Sequence, residues 1–172
     1  NNYTLIDDDI LSVYPNLIVI KSISKSYGVP GLRLGVLASG NKDYIKTINT
    51  NLPVWNINSF AEYFLQIINI YKKDYVLGCN KIKEERNRFY NKLIEIKELE
   101  VYNSEANYFM VKLNNGNASE LAEYLLDNNK LLIKVLNGKN GFDDKEYIRI
   151  AIKSSEENDY FIQSIKEYYD KM

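Results

Sequence analysis

The 172-residue chain has no histidine and a single cysteine, Cys79. Without histidine, the chain alone cannot build a Ser-His-Asp triad, a Cys-His pair or a His-ligated metal centre. One cysteine excludes an internal disulfide framework and a cysteine-cluster metal site. We therefore expect no metal site, and the chemistry of this chain must depend on Lys, Arg, Tyr, Ser, Asp or Glu, or on a cofactor.

The chain also lacks a strong charge bias and long apolar runs. Its 22 Lys and Arg balance 23 Asp and Glu, and the net charge of -1 gives no electrostatic reason to expect nucleic acid or an acidic membrane surface as a partner. No apolar run approaches the ~20 residues that a membrane-spanning helix needs. With 45% hydrophobic residues, the composition predicts a globular protein, and the low cysteine content favours a reducing, cytoplasmic location.

Arginine is scarce beside lysine, since the chain has 18 Lys but only four Arg. Lysine already fills the solvated surface role in this chain. An arginine is therefore a candidate for a position that needs a planar fork of donors, as carboxylate and phosphate binding do. The four positions are Arg33, Arg86, Arg88 and Arg149.

Short hydrophobic segments predict that the chain begins with α/β structure. Residues 17–20 form a β-branched apolar run that predicts a buried strand, and residues 34–38 predict a second strand. Because only a short loop separates them, we expect the two strands to pair antiparallel. A helical pattern begins at Asn41, and Asn58 is placed to cap a further helix that extends to about Tyr71. The apolar face expected for that further helix comprises Phe60, Phe64, Ile67, Ile68 and Tyr71.

A long helix is predicted at 74–96 by side chains that recur at spacings of three and four. Its seam comprises Tyr75, Cys79, Ile82, Arg86, Phe89, Leu93 and Ile96. On that seam we expect Cys79 to be a core residue and Arg86 to be a snorkelling or ion-paired residue, with Glu85 or a neighbouring chain as its partner. The remaining pattern predicts an α+β unit, with strands at 107–113, 131–136 and 147–152, a helix at 118–126 capped by Asn117, and a final helix capped by Ser154 and Glu157.

The loop between the first two strands, residues 22–35, carries the residues that are best suited to chemistry. Lys25 stands just beyond the first strand, where a partly desolvated lysine acts as an amine nucleophile on a carbonyl. Ser22 and Ser24 supply hydroxyl groups, and Arg33 returns a planar cation to the same end of the sheet. Hydroxyl groups together with a fork-shaped cation suit a phosphate group.

Two other interpretations of this loop stay open on composition alone. The first is a Ser/Gly-rich hairpin loop with a solvated lysine and a surface arginine. The second is the phosphate-binding loop of a nucleotide-binding protein, although the glycines match neither the G-x-x-x-x-G-K-[ST] spacing nor the G-x-G-x-x-G spacing.

The order of residues in the loop, Ser-x-Ser-Lys-x-Tyr-Gly-x-x-Gly-x-Arg-x-Gly, resembles the lysine motif of class I/II (fold type I) pyridoxal-phosphate-dependent aminotransferases, and in particular their histidinol-phosphate aminotransferase-like group. The resemblance implies pyridoxal phosphate as the cofactor and Lys25 as the catalytic lysine that holds it as a Schiff base. It also implies that Ser22 and Arg33 bind the cofactor phosphate and that Ser24 adds a contact.

A late strand agrees with this resemblance. Residues 147–151 resemble the family's strand whose arginine binds the substrate α-carboxylate, which implies a substrate-binding role for Arg149. Alternation along the strand places Arg149 on one face together with Tyr147 and Ala151. An arginine beside a small residue suits bidentate capture of a carboxylate.

The resemblance covers nearly the whole chain but only the C-terminal half of the family's fold. It implies that residues 1–73 end the large cofactor-binding domain, that residues 74–100 form a long linking helix, and that residues 101–172 form the small α+β domain. In the family, the glycine-containing phosphate loop and the Asp that pairs with the pyridine nitrogen come earlier in the chain. We therefore expect the 172 residues to be the second half of a longer protein and to be inactive by themselves. Arg86 and Arg88 match no functional position of the family.

The resemblance also implies an activity and a partner. The activity is transfer of an amino group between an amino acid or amino-phosphate substrate and a keto acid, by a homodimeric enzyme. One alternative is decarboxylation of a phosphorylated amino acid, as in threonine-phosphate decarboxylases. Another is a catalytically inactive domain that serves dimerisation or regulation. Residues 20–35 also resemble aminotransferase domains that are fused behind a nucleotidyltransferase domain.

Overall fold

A computed structural model describes residues 4–142 and 145–172 of the chain. The chain divides into two compact units, Asn1–Tyr75 and Val76–Met172. In the described residues, no helix is long and apolar enough to cross a membrane, and no three potential metal-binding side chains cluster together.

The first unit contains a two-stranded hairpin with short helices before and after it. Its elements are α1 (Asp8–Val13), β1 (Val19–Ser22), α2 (Ile23–Ser26), a 3-10 turn (Pro30–Leu32), β2 (Gly35–Ala38), α3 (Lys42–Asn51) and α4 (Ser59–Ile67). Polar side chains set the starts of all four α-helices by accepting hydrogen bonds from the first backbone N–H groups. Asp7 does so for α1, Ser22 for α2, Asn41 for α3 and Asn58 for α4, and the last of these caps is the one that the sequence predicts.

The predicted pairing of the first two strands is confirmed, but the predicted burial of the first strand is wrong. β1 and β2 pair antiparallel, with Ser22 opposite Gly35 at the loop end. Ile18 and Ile20 are nevertheless 45% and 77% exposed. The reason is that the hairpin has only two strands, and no described apolar layer covers these side chains.

The helix predicted after Asn58 is shorter and less buried than expected. α4 ends at Ile67 instead of Tyr71. Phe60, at the start of the predicted apolar face, is 80% exposed, whereas the neighbouring Ala61 is buried. The described part of the first unit therefore covers only a narrow strip of this helix.

The second unit is built on a four-stranded antiparallel sheet with helices packed against one face. Its elements are α5 (Lys72–Leu93), which begins before the boundary between the units, β3 (Leu99–Val101), β4 (Tyr108–Leu113), α6 (Ala118–Asn129), β5 (Lys134–Val135), β6 (Tyr147–Ala151) and α7 (Ser155–Tyr169). The strand order is β3-β4-β6-β5, and every neighbouring pair is antiparallel. The mixed α/β and α+β class predicted from the sequence is confirmed.

The core of the second unit forms where inward-facing strand residues meet the apolar stripes of the helices. The ring of Phe89 on α5 lies 6.0 Å from that of Phe109 on β4 and 5.9 Å from that of Phe161 on α7, in both cases edge to face. Tyr147, predicted to share a face with Arg149, is buried because the ring of Phe142 packs edge-on against it at 4.9 Å.

The helix starts of this unit agree with those predicted from the sequence, whereas its short strands do not. Asn117 caps α6, and Ser154 and Glu157 form the predicted capping box of α7. The sequence does not predict β3, because three residues are too few to show an alternation. β5 contains two residues in place of the strand predicted at 131–136.

Only the second half of the predicted α5 seam is buried. Arg86, Phe89 and Leu93 lie in the interior, whereas Ile82 is 48% exposed and Cys79, predicted to be a core residue, is only partly buried. The core of the second unit therefore covers α5 only from about Arg86 onward.

Candidate active site

Lys25 lies in α2, the four-residue helix that directly follows β1. Ser22, the last residue of β1, begins this helix because its Oγ accepts a hydrogen bond from the Lys25 backbone N–H at 3.4 Å. The Ser22 carbonyl in turn accepts a hydrogen bond from the Ser26 hydroxyl at 3.1 Å. The end of the strand thus places Ser22 and Lys25 together, and the lysine is exposed.

Ser24 joins the two ends of the loop. It is 2% exposed, and its Oγ accepts a hydrogen bond from Leu34 N–H at 2.6 Å and donates one to the Leu34 carbonyl at 3.2 Å. The Ser24 backbone N–H donates to the same carbonyl at 3.0 Å. Because Lys25 follows Ser24 and Arg33 precedes Leu34, this clamp brings the backbones of the predicted lysine and arginine to the same end of the hairpin.

Arg33 has a left-handed backbone conformation, with φ 53° and ψ 38°. Among the described non-glycine residues, only Arg33 and Lys130 have a positive φ. This conformation costs roughly 1–2 kcal/mol in a residue that carries a Cβ atom. The exposed guanidinium of Arg33 donates one hydrogen bond to the Pro30 carbonyl at 3.4 Å. Strained backbone that presents an exposed charged group is typical of functional positions.

Two further residues support the loop, although neither role is predicted from the sequence. The side-chain amide of Asn58, which caps α4, also donates to the Leu32 carbonyl at 2.9 Å, next to Arg33. Tyr27, which ends α2, stacks on Tyr75 with ring centroids 4.2 Å apart. The capping role of Asn58 has a sequence signal, but its contact with a carbonyl 26 residues away has none.

Arg149 lies on β6 in the second unit, on the sheet face turned away from the core. The predicted alternation is confirmed, because Ile148 and Ile150 are buried while Arg149 and Ala151 are exposed. The guanidinium carbon of Arg149 lies 5.1 Å from the ring centroid of Tyr108 on the neighbouring β4. Such a cation–π contact orients the guanidinium and leaves its donors available.

The two arginines without a functional match are both held in ion pairs. Arg86 donates to the Glu105 carbonyl at 2.8 Å and to the Glu105 carboxylate at 3.0 Å, so its partner is not the suggested Glu85. Arg88 instead binds Glu85 and Asp159, each at 2.7 Å. The hydrogen bonds from Arg88 lower the pKa of Glu85 to about 2, against the opposing effect of burial. Both arginines therefore have structural partners.

Arg33 and Arg149, which match functional positions of the family, differ from Arg86 and Arg88 in their ion-pair partners. Neither Arg33 nor Arg149 forms an ion pair with any carboxylate among the described residues. The structure brings Ser22, Ser24, Lys25 and Arg33 together in the first unit and places Arg149 in the second unit. Both guanidinium groups are thus available to an external anion.

The chain belongs to the family described as aminotransferase class I and II, whose model matches residues 8–165. It is 34% identical over 161 residues to L-serine phosphate decarboxylase of Campylobacter jejuni, covering 91% of this chain and 40% of that protein. It is 31% identical over 158 residues to CMP-5'-(3-aminopropyl)phosphonate synthase of Streptomyces rubellomurinus, covering 91% of this chain and 25% of that protein.

Solved structures agree with this membership. Histidinol-phosphate aminotransferase of Clostridium acetobutylicum matches with a TM-score of 0.84 and 29% identity, covering 94% of this chain and 48% of that one. The chain thus has the fold of type I pyridoxal-phosphate-dependent enzymes, and the cofactor of this family is pyridoxal phosphate. The family, fold type and cofactor predicted from the loop motif are confirmed. The chain spans less than half the length of these three proteins.

The donors of the first unit fit this cofactor, which carries an aldehyde and a phosphate. Lys25 offers an exposed primary amine to the aldehyde. Arg33 offers a guanidinium that no described carboxylate neutralises, and the Ser22 hydroxyl hydrogen has no acceptor among the described residues. A fork-shaped cation and a hydroxyl donor are what a phosphate dianion requires.

Proposed function

We propose that this chain forms part of a pyridoxal-phosphate-dependent aminotransferase that exchanges an amino group between an amino acid or amino-phosphate substrate and a keto acid. The observation that carries the proposal is the loop at 22–35. There the hydrogen bonds between Ser24 and Leu34 set Lys25 and Arg33 at one end of the hairpin. Family membership supports a pyridoxal-phosphate-dependent reaction, and the geometry of this loop supports Lys25 and Arg33 as residues that take part in it.

Each residue proposed for the reaction has a separate task. Arg33 and the hydroxyl of Ser22 bind the cofactor phosphate, which anchors the cofactor at the end of β1. Arg149 binds the substrate α-carboxylate through its guanidinium fork and so fixes the orientation of the amino acid. When bound, pyridoxal phosphate supplies an electron sink for the substrate carbon that carries the amino group.

Lys25 has two tasks in this proposal. Its amine would hold the cofactor at the aldehyde carbon, and the same Nζ would act as the acid/base group that takes up the proton of the substrate α-carbon and gives it back. The predicted contact of Ser24 with the cofactor stays a prediction, because that contact requires its hydroxyl to leave the Leu34 carbonyl. In its observed position, Ser24 acts by holding the two ends of the loop together.

A second candidate reaction is decarboxylation of a phosphorylated amino acid. It is favoured by the relationship to L-serine phosphate decarboxylases of Campylobacter jejuni and Sulfurospirillum multivorans, at 34% and 32% identity. The same lysine and arginines serve either reaction, because both begin with loss of a group from the substrate α-carbon. Analysis of products from the full-length protein separates them, since one reaction releases carbon dioxide and the other forms a keto acid.

The surrounding protein is also part of the proposal. We propose a homodimeric, cytoplasmic enzyme in which this chain alone is inactive. The Streptomyces rubellomurinus relative is named for a compound that joins a CMP group to an amino group, and this chain matches 25% of that protein. This supports the further proposal that the aminotransferase part is fused to a nucleotidyltransferase part.

The decisive experiment replaces Lys25 in the full-length protein. Lys25→Ala is expected to abolish the visible absorbance band of the bound cofactor and to lower turnover at least ~100-fold, because the residue is both the attachment point and the acid/base group. Lys21→Ala is the matched control, since it removes another exposed lysine of the same hairpin. Full activity in Lys25→Ala would exclude the proposed mechanism. A wild-type protein with neither band nor turnover would favour the inactive, regulatory alternative.

A further inference from the structure

Side-chain hydrogen bonds hold the peptide groups on both sides of Arg33. The peptide group before it joins the Leu32 carbonyl to the Arg33 N–H, and this carbonyl accepts a hydrogen bond from the Asn58 side-chain amide at 2.9 Å. The peptide group after it carries the Leu34 N–H, which donates to the Ser24 hydroxyl at 2.6 Å. Because a peptide group is planar, φ and ψ of Arg33 are the only soft backbone torsions between these two anchored groups.

These two anchors account for the backbone conformation of Arg33. A residue with a Cβ atom stays in the left-handed region only where the surrounding structure holds it there. With both flanking peptide groups held, φ 53° and ψ 38° are set from outside the residue. The same two torsions fix the direction in which the side chain leaves the backbone. The anchors therefore also influence where the guanidinium group of Arg33 points.

The two anchors come from different parts of the first unit. Ser24 belongs to the loop itself, whereas Asn58 lies 26 residues beyond Leu32, at the start of α4. The Asn58 Oδ1 accepts a hydrogen bond from the Ala61 N–H at 2.9 Å, while its Nδ2 donates to the Leu32 carbonyl. One side-chain amide thus caps a helix and at the same time holds a peptide group of the loop.

Capping alone does not require the contact between Asn58 and Leu32. Asn41 caps α3 in the same unit, where its Oδ1 accepts a hydrogen bond from the Asp43 N–H at 3.0 Å. Its Nδ2 has no acceptor among the described residues, so the same kind of cap forms there without a second contact. Serine and aspartate also begin helices about as well as asparagine, although neither carries an amide donor. The amide donor of Asn58 therefore serves the loop and not the helix.

We propose that Asn58 is a positioning residue whose amide, together with the Ser24 hydroxyl, holds the left-handed backbone of Arg33 and so directs its guanidinium group to the cofactor phosphate. The proposal rests on the phosphate-binding role given to Arg33 above. In this role Asn58 acts only through Arg33 and needs no contact with the cofactor. Loss of the amide is expected to weaken binding of the phosphate group and to leave binding of the rest of the cofactor unchanged.

The test is titration of the full-length protein, freed of cofactor, with pyridoxal phosphate and with pyridoxal, which lacks the phosphate. Asn58→Ser keeps a neutral cap for α4 but removes the donor to Leu32, and it is expected to raise the Kd for pyridoxal phosphate about three- to tenfold. The Kd for pyridoxal is expected to change less than about twofold, because pyridoxal has no anion for Arg33 to bind. Asn41→Ser is the matched control and is expected to change neither value.

A double-mutant cycle with Arg33→Gly determines whether Asn58 acts through Arg33. In the Arg33→Gly background, Asn58→Ser is expected to change the Kd for pyridoxal phosphate less than about twofold. A full effect in that background, an equal effect on pyridoxal and pyridoxal phosphate, or an unchanged Kd for pyridoxal phosphate would overturn the positioning role.

The positioning role and the proposed function fail in different ways. Each result that overturns the positioning role is compatible with a wild-type protein that binds pyridoxal phosphate at Lys25. A wild-type protein that binds no pyridoxal phosphate would overturn both proposals. The wild-type titration therefore tests the proposed function, and the comparison of Asn58→Ser with wild type tests the role of Asn58.

Discussion

The two units of this chain hold their residues in place by different means. The described first unit contributes three of the 21 buried hydrophobic residues, Leu11, Leu34 and Ala61, and the second unit contributes the other 18. Among the described residues, positions 4–75 also carry 16 of the 25 large hydrophobic side chains that are exposed. The second unit is thus built around an apolar core, whereas the loop of the first unit is shaped by hydrogen bonds and one aromatic stack.

This difference bears on how each anion-binding arginine is positioned. Arg149 lies on a strand whose alternate residues are anchored in the core, so packing fixes its direction. The position of Arg33 depends on the hydrogen bonds between Ser24 and Leu34 and on its own left-handed backbone conformation. Both are local to the loop, and neither involves packing in an apolar core. We therefore expect core substitutions to affect the second unit strongly and the first unit weakly.

The largest expected effect comes from matched phenylalanine truncations in the two units. Phe89→Ala removes a ring that touches two other buried rings, and we expect it to lower the free energy of unfolding by about 3–5 kcal/mol. Phe60→Ala removes an exposed ring of the first unit and is expected to change it by less than about 0.5 kcal/mol. Urea unfolding of the 172-residue chain, followed by circular dichroism, measures both. Equal losses in the two variants would contradict the contrast between the units.

A smaller effect is expected from the ion-pair network that joins α5 to the start of α7. The carboxylate of Glu85 accepts hydrogen bonds from Arg88, the Ser155 hydroxyl and the Asn158 amide, each as short as 2.7 Å. These contacts, led by the hydrogen bonds from Arg88, lower the pKa of Glu85 from 4.5 to about 2. A lowered carboxyl pKa stabilises the fold above the unfolded value and loses that contribution as pH falls through the folded value.

The second unit is therefore expected to lose stability between about pH 4.5 and pH 2. Glu85→Gln should cost about 1.5–3 kcal/mol at neutral pH and should flatten this pH dependence. Some dependence should remain, because hydrogen bonds from Lys92 and Arg88 also lower the pKa of Asp159. Glu84→Gln, an exposed neighbour on the same helix, is the control. Unfolding curves at a series of pH values measure the effect, and an unchanged slope in Glu85→Gln would contradict the assignment.

Features that depend on residues close together in the sequence were predicted better than contacts between residues far apart in the sequence. Helix caps at Asn58, Asn117 and Ser154 and the strand alternation around Arg149 depend on neighbouring residues, and all are confirmed. The partner of Arg86 lies 19 residues away, and no short-range pattern selects Glu105.

Burial in the first unit was also beyond prediction from the sequence. An apolar run such as that around Ile20 indicates that a side chain can be buried, but burial requires a covering layer from elsewhere. The Lys25 motif, in contrast, could be recognised from the sequence, because it depends only on the order of residues within one loop. The hydrogen bonds between Ser24 and Leu34 that shape this loop could not be predicted in the same way. The loop could thus be assigned to a family before its geometry was known.

The smallest expected change in stability comes from the two described non-glycine residues with left-handed backbone, one in each unit. Arg33→Gly and Lys130→Gly both remove a Cβ atom from this conformation, and both are expected to change the free energy of unfolding by between zero and a gain of about 1 kcal/mol. The gain is small because glycine also adds conformational freedom to the unfolded chain. Only Arg33→Gly removes a group assigned to the cofactor phosphate, so only this variant is expected to weaken binding of pyridoxal phosphate to the full-length protein, by about 10- to 100-fold. Thermal unfolding and cofactor titration of the same two variants measure the two properties separately. Unchanged cofactor affinity in Arg33→Gly would mean that its strained backbone serves the hairpin and not the ligand.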